Sequence, residues 1–200
     1  MATRNLNVPN VLSGLRILLA AALFALIGTG FYVPALGVFL AAAVTDFVDG
    51  WWARHFHQCT QLGRMLDTFA DKILICGAFI MFAALPLMQR DWMLIQPWMA
   101  VLIAAREMLV SYLKVFMESS GVSYGAKWSG KIKMFFQCIT VALACVWLAM
   151  KNANSSGIWM QVAYWSLVTS LWVTILSTLQ SGLEYIVEVG RILCKTEESR

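Results

Sequence analysis

The chain has 200 residues, of which 60% are hydrophobic and only 13% are charged. Since a soluble domain carries about 25% charged residues, this composition excludes an ordinary soluble protein and indicates an integral membrane protein. The formal net charge is only +4. We assign the basic residues to membrane topology and anionic lipid, and we expect no nucleic-acid partner.

Long apolar segments recur along the whole chain. Each is close to or longer than the ~20 residues that an α-helix needs to cross the hydrocarbon core of a bilayer. The pattern predicts an all-α, polytopic membrane protein with about six transmembrane helices, forming one membrane domain over residues 1–200. The predicted spans are 11–29, 34–54, 65–87, 92–117, 129–150 and 158–188.

The distribution of lysine and arginine predicts the orientation of these spans. With a cytoplasmic N-terminus, the outer loops hold only Arg90 and Lys151, whereas most basic residues flank the inner ends. This asymmetry fits the positive-inside rule and an even number of spans, with both termini in the cytoplasm. The inner residues are Arg4, Arg54, Arg64, Lys114, Lys127, Lys131, Lys133, Arg191, Lys195 and Arg200.

The second and third predicted spans carry a dense acidic motif, D-F-V-D-G-W-W-A-R followed after eight residues by G-R-M-L-D-T-F-A-D. Asp46 and Asp49 are three residues apart and Asp67 and Asp71 are four apart, so each pair shares one face of a helix. Charged side chains in apolar helices are costly and mark functional sites. Four neighbouring carboxylates also repel one another, and all-oxygen ligands suit Mg²⁺ or Mn²⁺.

A structural alternative is that individual aspartates form buried ion pairs with Arg54, Arg64 or Lys72. Lys72 follows Asp71 directly, and adjacent residues point about 100° apart on a helix. We therefore expect a metal ion or a proton to be the better partner for Asp71.

The spacing D-x2-D-G-x2-A-R-x8-G-x3-D-x3-D resembles the signature of the CDP-alcohol phosphotransferases, membrane enzymes that build phospholipid head groups. The resemblance implies two Mg²⁺ or Mn²⁺ ions held by Asp46, Asp49, Asp67 and Asp71, with Asp71 also the candidate general base. It further implies CDP-diacylglycerol as the donor and a homodimer. Since no Ser–His or Cys–His arrangement is visible, we expect a direct displacement.

The resemblance also implies a donor site around the motif. The small residues Gly50 and Ala53 would let the nucleotide approach closely, although close helix packing favours small residues too. Arg54 suits a diphosphate because its planar guanidinium matches phosphate oxygens. The residues expected to bind CDP-diacylglycerol are Asn10, Ser13, Gly50, Ala53, Arg54 and Gly63.

Three further segments resemble one branch of this family, the bacterial phosphatidylglycerophosphate synthases. They are N-V-P-N-V-L-S-G-L-R near the N-terminus, A-R-E in the fourth span and G-K-I-K-M-F-F-Q at 130–137. The resemblance implies sn-glycerol 3-phosphate as the acceptor, in a bacterial inner membrane with the active site facing the cytoplasm. We expect Arg106, Lys131 and Lys133 to bind the acceptor phosphate, because a dianion needs charged donors.

Two departures from that branch leave other acceptors open. Thr68 stands where proline is usual, and Met134 stands where threonine is usual. The same chemistry with phosphatidylglycerol, as in a cardiolipin synthase, is one alternative. A small ion transporter is another, but it predicts inverted repeats with broken helices, which the sequence does not show. His55 and His57 are more consistent with a solvated loop than with metal ligands, and the last two spans carry no motif.

Overall fold

The computed structural model describes the backbone of residues 8–55, 61–119 and 128–198. Side chains are described over 14–45, 68–117 and 132–191, apart from Glu188. All regular secondary structure within these ranges is helical, which confirms the predicted all-α fold class.

Six long helices correspond in order to the six predicted spans, and a single helical turn is added between the third and the fourth. These helices are recognisable in the sequence because each is a long apolar segment. The helices are α1 Val8–Thr29, α2 Tyr32–His55, α3 Gln61–Ala83, α4 Pro86–Gln89, α5 Pro97–Ser119, α6 Trp128–Asn152 and α7 Ile158–Glu198.

The boundaries around α4 differ from the sequence prediction. The third span was expected to continue to residue 87 and the fourth to begin at residue 92, but α3 ends at Ala83 and α5 begins at Pro97. Pro86 breaks the helix because proline lacks the backbone donor and clashes with the preceding turn. Between the helices, Asp91 accepts a hydrogen bond from the backbone of Met93 at 3.0 Å, so this segment forms an ordered connection.

The helices have the dimensions and surface of a membrane protein. The shortest of the six has 22 residues, which corresponds to about 33 Å at the rise of an α-helix and matches the hydrocarbon core. Within α6 and α7, Ile132–Asn152 and Ile158–Arg191 are long and apolar enough to cross a membrane, and Gly14–Thr29 and Tyr32–Thr45 are shorter apolar stretches. The number of crossings stays a prediction.

Large apolar side chains also cover much of the outer surface. Leu18, Val101, Phe135 and Leu176 are each more than half exposed. A soluble protein rarely presents so much contiguous apolar surface to water, whereas lipid accepts it without cost. The outer surface therefore agrees with the composition in indicating insertion into a bilayer.

Helix α1 is central to the packing that positions the candidate site. It packs against both α2 and α3, while α5 contacts α3 and α7, and α6 packs on α7. The contact between α1 and α3 is close at Gly77, where an added Cβ would lie 2.1 Å from the ring of Phe24. A larger residue at position 77 would displace the Phe24 ring or separate the helices, so glycine allows α1 and α3 to pack this closely.

Candidate active site

A buried ion pair joins α1 to α3. Nη1 of Arg16 donates a hydrogen bond to Oδ1 of Asp71 at 2.7 Å. Arg16 is fully buried, whereas 25% of the Asp71 side chain remains exposed. An arginine inside an apolar helix needs an anionic partner. The pair therefore holds the Asp71 carboxylate in a defined position while leaving part of it accessible.

The sequence does not predict this partner of Asp71. Arg54, Arg64 and Lys72 are the candidate basic partners there, and a metal ion or a proton is the expected one. Arg16 lies 55 residues away in the chain, so only the tertiary packing reveals it. The ion pair is compatible with a cation at the same carboxylate. A carboxylate offers two oxygens and about four lone-pair sites, so it can accept from an arginine and also bind a cation.

The other three motif aspartates are placed by the backbone alone. Asp46 and Asp49 belong to the last turns of α2, and Asp67 belongs to the second turn of α3. Their side chains lie outside the described residues. The same is true of the remaining donor-site and acceptor-site residues Asn10, Ser13, Gly50, Ala53, Arg54, Gly63 and Lys131.

The donor set still fits a hard divalent cation chemically, since all four predicted ligands are carboxylates. Among the side chains that are described, no group of three or more histidine, cysteine, aspartate or glutamate residues forms a possible metal site. Because Asp71 is the single predicted ligand with a described side chain, the metal site stays a prediction.

A second group of buried charges lies where α5, α6 and α7 meet. Arg106 of α5 is only 8% exposed, and its Nη2 donates a hydrogen bond to Oγ of Ser181 on α7. The Tyr185 ring centroid is 6.0 Å from the guanidinium carbon, and Gly182 leaves room for the arginine stem. Among the described residues, Nε of Arg106 has no hydrogen-bond partner. Part of the donor capacity of this arginine is therefore unused.

Glu107 connects Arg106 to α6. Its Oε1 accepts hydrogen bonds from Nζ of Lys133 and, at 3.3 Å, from Nε2 of Gln137. Nη1 of Arg106 is 3.4 Å from Oε2 of Glu107. Lys133 and Gln137 are four residues apart on one face of α6, and both are almost fully buried. We call Arg106, Glu107, Lys133, Gln137 and Ser181 the basic cluster.

Helix α3 links the basic cluster to the ion pair. Lys72 follows Asp71 on α3, and Glu107 lies on α5, which α3 contacts. Helix α3 packs on α1 and also on α5 and α6. Helix α3, which carries the candidate base, therefore contacts both helices that carry the buried cations.

Arg106 and Lys133 are predicted from the sequence to share one site, and the structure brings them together through Glu107. Gln137 belongs to a motif in the sequence but is given no role there, and the contributions of Ser181 and Tyr185 are not predicted. No motif is visible in the last predicted span. A buried arginine nevertheless needs a polar partner on a helix that packs against it, and α7 supplies this partner for Arg106. The available signal was the spacing of buried hydroxyl residues along α7, which are Ser170, Thr174, Thr178 and Ser181.

Two of these hydroxyl groups also bind α7 to α6. Oγ1 of Thr140 is 2.7 Å from Oγ of Ser170 and 3.0 Å from Oγ1 of Thr174. Hydrogen bonds of this type join helices in an apolar environment, where no water competes for the donors. They hold α7 so that Ser181 faces Arg106.

Comparison with known proteins identifies the class to which this site belongs. Residues 6–177 match the CDP-alcohol phosphatidyltransferase family, and the chain belongs to that family. This confirms the resemblance found in the sequence, and it identifies the protein as a membrane-integral enzyme that acts as a phosphatidyltransferase.

Two relatives are similar over most of the chain. A Bacillus subtilis (strain 168) protein is 34% identical over 148 residues, covering 74% of this chain and 69% of its own length. An Escherichia coli (strain K12) protein is 32% identical over 189 residues, covering 90% of this chain and 93% of its own. Both relatives are named CDP-diacylglycerol–glycerol-3-phosphate 3-phosphatidyltransferase.

Proposed function

We propose that this protein transfers the phosphatidyl group of CDP-diacylglycerol to sn-glycerol 3-phosphate, giving phosphatidylglycerophosphate and CMP. The observation that carries the acceptor assignment is the basic cluster, in which buried Arg106 and Lys133 approach from separate helices. Two relatives that align over most of this chain bear the name of that reaction, which supports the same acceptor here.

The basic cluster fits a phosphate monoester. Such a group carries close to two negative charges and three acceptor oxygens, and charge-assisted hydrogen bonds are the strong ones. Arg106 offers a planar set of donors whose Nε is unused among the described residues, and Lys133 offers a second buried cation. Phosphatidylglycerol, the alternative acceptor, carries a phosphodiester with a single negative charge. The three acceptor oxygens of a monoester can engage Arg106 and Lys133 together, which supports glycerol 3-phosphate as the acceptor.

Asp71 is the residue we assign to proton removal. Its carboxylate is held by Arg16 and is partly exposed. A general base must be accessible in this way, because it has to contact the hydroxyl group of the substrate. In the proposed reaction, the acceptor hydroxyl oxygen forms a bond to the phosphorus that carries the diacylglycerol group. The bond from that phosphorus to CMP breaks, and the hydroxyl proton passes to Asp71.

We further propose that Asp46, Asp49, Asp67 and Asp71 hold two Mg²⁺ or Mn²⁺ ions. Support comes from the chemistry of the donor set, since four carboxylates in an apolar domain require cations. When bound, the ions would stabilise negative charge on the diphosphate of the donor.

We propose that the active site faces the cytoplasm of a bacterium from its inner membrane. The asymmetric distribution of basic residues supports this orientation. The predicted inner ends of the second and third spans carry the acidic motif. A water-soluble acceptor can therefore reach it from the compartment in which both chain termini would lie.

The test is release of CMP by the purified protein from CDP-diacylglycerol with a panel of acceptors. We expect turnover with sn-glycerol 3-phosphate and none without an acceptor. Turnover with phosphatidylglycerol but not with glycerol 3-phosphate would replace the proposed acceptor. Absence of CMP release with every acceptor would contradict the proposed reaction itself.

A further inference from the structure

We infer that Glu107 competes with the acceptor phosphate for the cations of the basic cluster and thereby sets the affinity of the enzyme for its acceptor. This inference rests on the proposed function, because it assigns a role to a residue within the proposed acceptor site. Glu107 then changes the affinity for the acceptor through Lys133 and Arg106, and it takes no part in the reaction itself.

The first observation is that the donors of the cluster converge on one carboxylate. Oε1 of Glu107 accepts from Nζ of Lys133 and from Nε2 of Gln137, and Nη1 of Arg106 lies 3.5 Å away. Two cations and an amide around one anionic oxygen form the arrangement that a phosphate oxygen requires. In the structure, the glutamate supplies that oxygen itself.

The second observation is that the contact between Glu107 and Arg106 is weak. Its distances of 3.4 and 3.5 Å exceed the roughly 2.7–2.9 Å of a charge-assisted hydrogen bond. The two residues are adjacent on α5, so their side chains leave the helix in different directions. Among the described residues, Oε2 of Glu107 makes no other hydrogen bond, and 15% of the side chain is exposed. The carboxylate is therefore only partly fixed.

The third observation is the charge balance. Arg106 and Lys133 together carry two positive charges, and Glu107 cancels one of them. A phosphate dianion bound beside an unmoved carboxylate would meet strong repulsion in a poorly solvated site. Acceptor binding is therefore an exchange of one anion for another.

The sharpest test is Glu107→Gln in the purified, full-length enzyme. Glutamine has nearly the same shape and can still accept from Lys133, but it lacks the competing charge. We expect KM for glycerol 3-phosphate to fall by roughly tenfold while KM for CDP-diacylglycerol stays the same. Inorganic phosphate should also raise the unfolding temperature of the variant more than that of the wild type.

A matched control is Glu184→Gln, which removes a carboxylate that accepts from Gln180 at 3.1 Å on α7. It should leave KM for the acceptor and the phosphate-induced stabilisation as in the wild type. Combining Glu107→Gln with Lys133→Gln should abolish most of the gain in affinity, because the cation for which the two anions compete is then absent.

An unchanged or increased KM for glycerol 3-phosphate in Glu107→Gln would overturn the inference and make Glu107 a group that orients Lys133. If that variant does not fold, Glu107→Asp serves instead. Its shorter carboxylate holds Lys133 less well, so it should also bind phosphate more tightly, and equal or weaker binding would refute the competition.

The phosphate measurement separates this inference from the proposed function. If the enzyme does not use glycerol 3-phosphate, the proposed function fails, yet inorganic phosphate still reports whether Glu107 competes with an anion at the cluster. If the enzyme uses glycerol 3-phosphate and Glu107→Gln gives no tighter binding of either anion, only the competition is refuted.

Discussion

Arg16 and Asp71 are 55 residues apart in the chain, yet they form a 2.7 Å ion pair between α1 and α3. The arginine is completely buried, and the aspartate is partly exposed. The N-terminal helix is therefore more than a membrane anchor, because it supplies the charge that fixes the candidate base. This relationship leads to the first prediction.

Arg16→Gln should greatly reduce CMP release and lower the unfolding temperature. Removing one partner of a fully buried ion pair costs about 3–5 kcal/mol, and the partial exposure of Asp71 makes that range an upper bound here. Arg16→Lys should retain part of the activity, since it keeps the charge but lacks the planar guanidinium. Thermal unfolding and CMP release, measured together, check both statements.

Arg90→Gln is the control for this prediction, because Arg90 is an exposed arginine in the loop after α4. It should behave as the wild type in both measurements. Wild-type turnover in Arg16→Gln would show that the ion pair does not position the base.

The second prediction concerns the crossing of α1 and α3 at Gly77. Gly77→Ala would place a Cβ 2.1 Å from the Phe24 ring, so the helices must separate or the ring must move. We expect a loss of stability of about 1–3 kcal/mol, typical of overpacking, together with lower turnover because Arg16 and Asp71 lie on the same two helices. Gly37→Ala in α2 is the control, since nothing lies within 4 Å of its added Cβ.

Comparable unfolding temperatures for the two alanine variants would mean that α1 and α3 tolerate a wider separation. A normal stability with reduced turnover in Gly77→Ala would instead locate the effect in the site itself. The two measurements are thus both required.

The sequence predicts the fold as far as the length and position of the apolar segments determine where the helices lie. The six long helices follow the six apolar segments, but residues 92–96 were expected to be helical. They are apolar enough, yet Nε2 of Gln96 donates to the backbone oxygens of Met88 and Asp91, at 3.0 and 2.8 Å. Such side-chain hydrogen bonds compete with the helix and depend on tertiary contacts, so periodicity does not reveal them.

The sequence predicts which charged residues belong to the candidate site, but it does not predict which residues they pair with. A buried arginine in an apolar helix indicates that a polar partner exists, and this holds for both Arg16 and Arg106. Which partner it finds depends on how the helices cross. Ser181 and Asp71 were therefore not identifiable as partners from spacing along the chain.

The third prediction tests the basic cluster as the acceptor site. Arg106→Gln and Lys133→Gln should each raise KM for glycerol 3-phosphate by roughly tenfold or more, with little change in KM for CDP-diacylglycerol. A charge-assisted hydrogen bond to phosphate contributes about 1.5–3 kcal/mol, which corresponds to this factor. Steady-state kinetics with each substrate varied in turn provide the measurement.

Lys151→Gln is the control for the cluster, because Lys151 is exposed at the end of α6 and lies over the ring of Trp147 at 5.9 Å. Its kinetic constants should equal those of the wild type. An equal rise in both KM values in Arg106→Gln or Lys133→Gln would assign these residues to the fold or to the donor site.

The last prediction concerns the metal ions. Asp46→Asn, Asp49→Asn, Asp67→Asn and Asp71→Asn should each nearly abolish CMP release while the protein remains folded and inserted in the membrane. Excess chelator should stop turnover of the wild type, and Mg²⁺ or Mn²⁺ should restore it, because carboxylate ligands favour hard cations. Full activity in chelator, recovery with zinc alone, or more than about a tenth of wild-type activity in two of the variants would refute a site in which all four carboxylates act on the metal. Asp71→Asn is the most informative of the four, since it also removes a charge that pairs with Arg16. It should therefore lower the unfolding temperature as well as the rate.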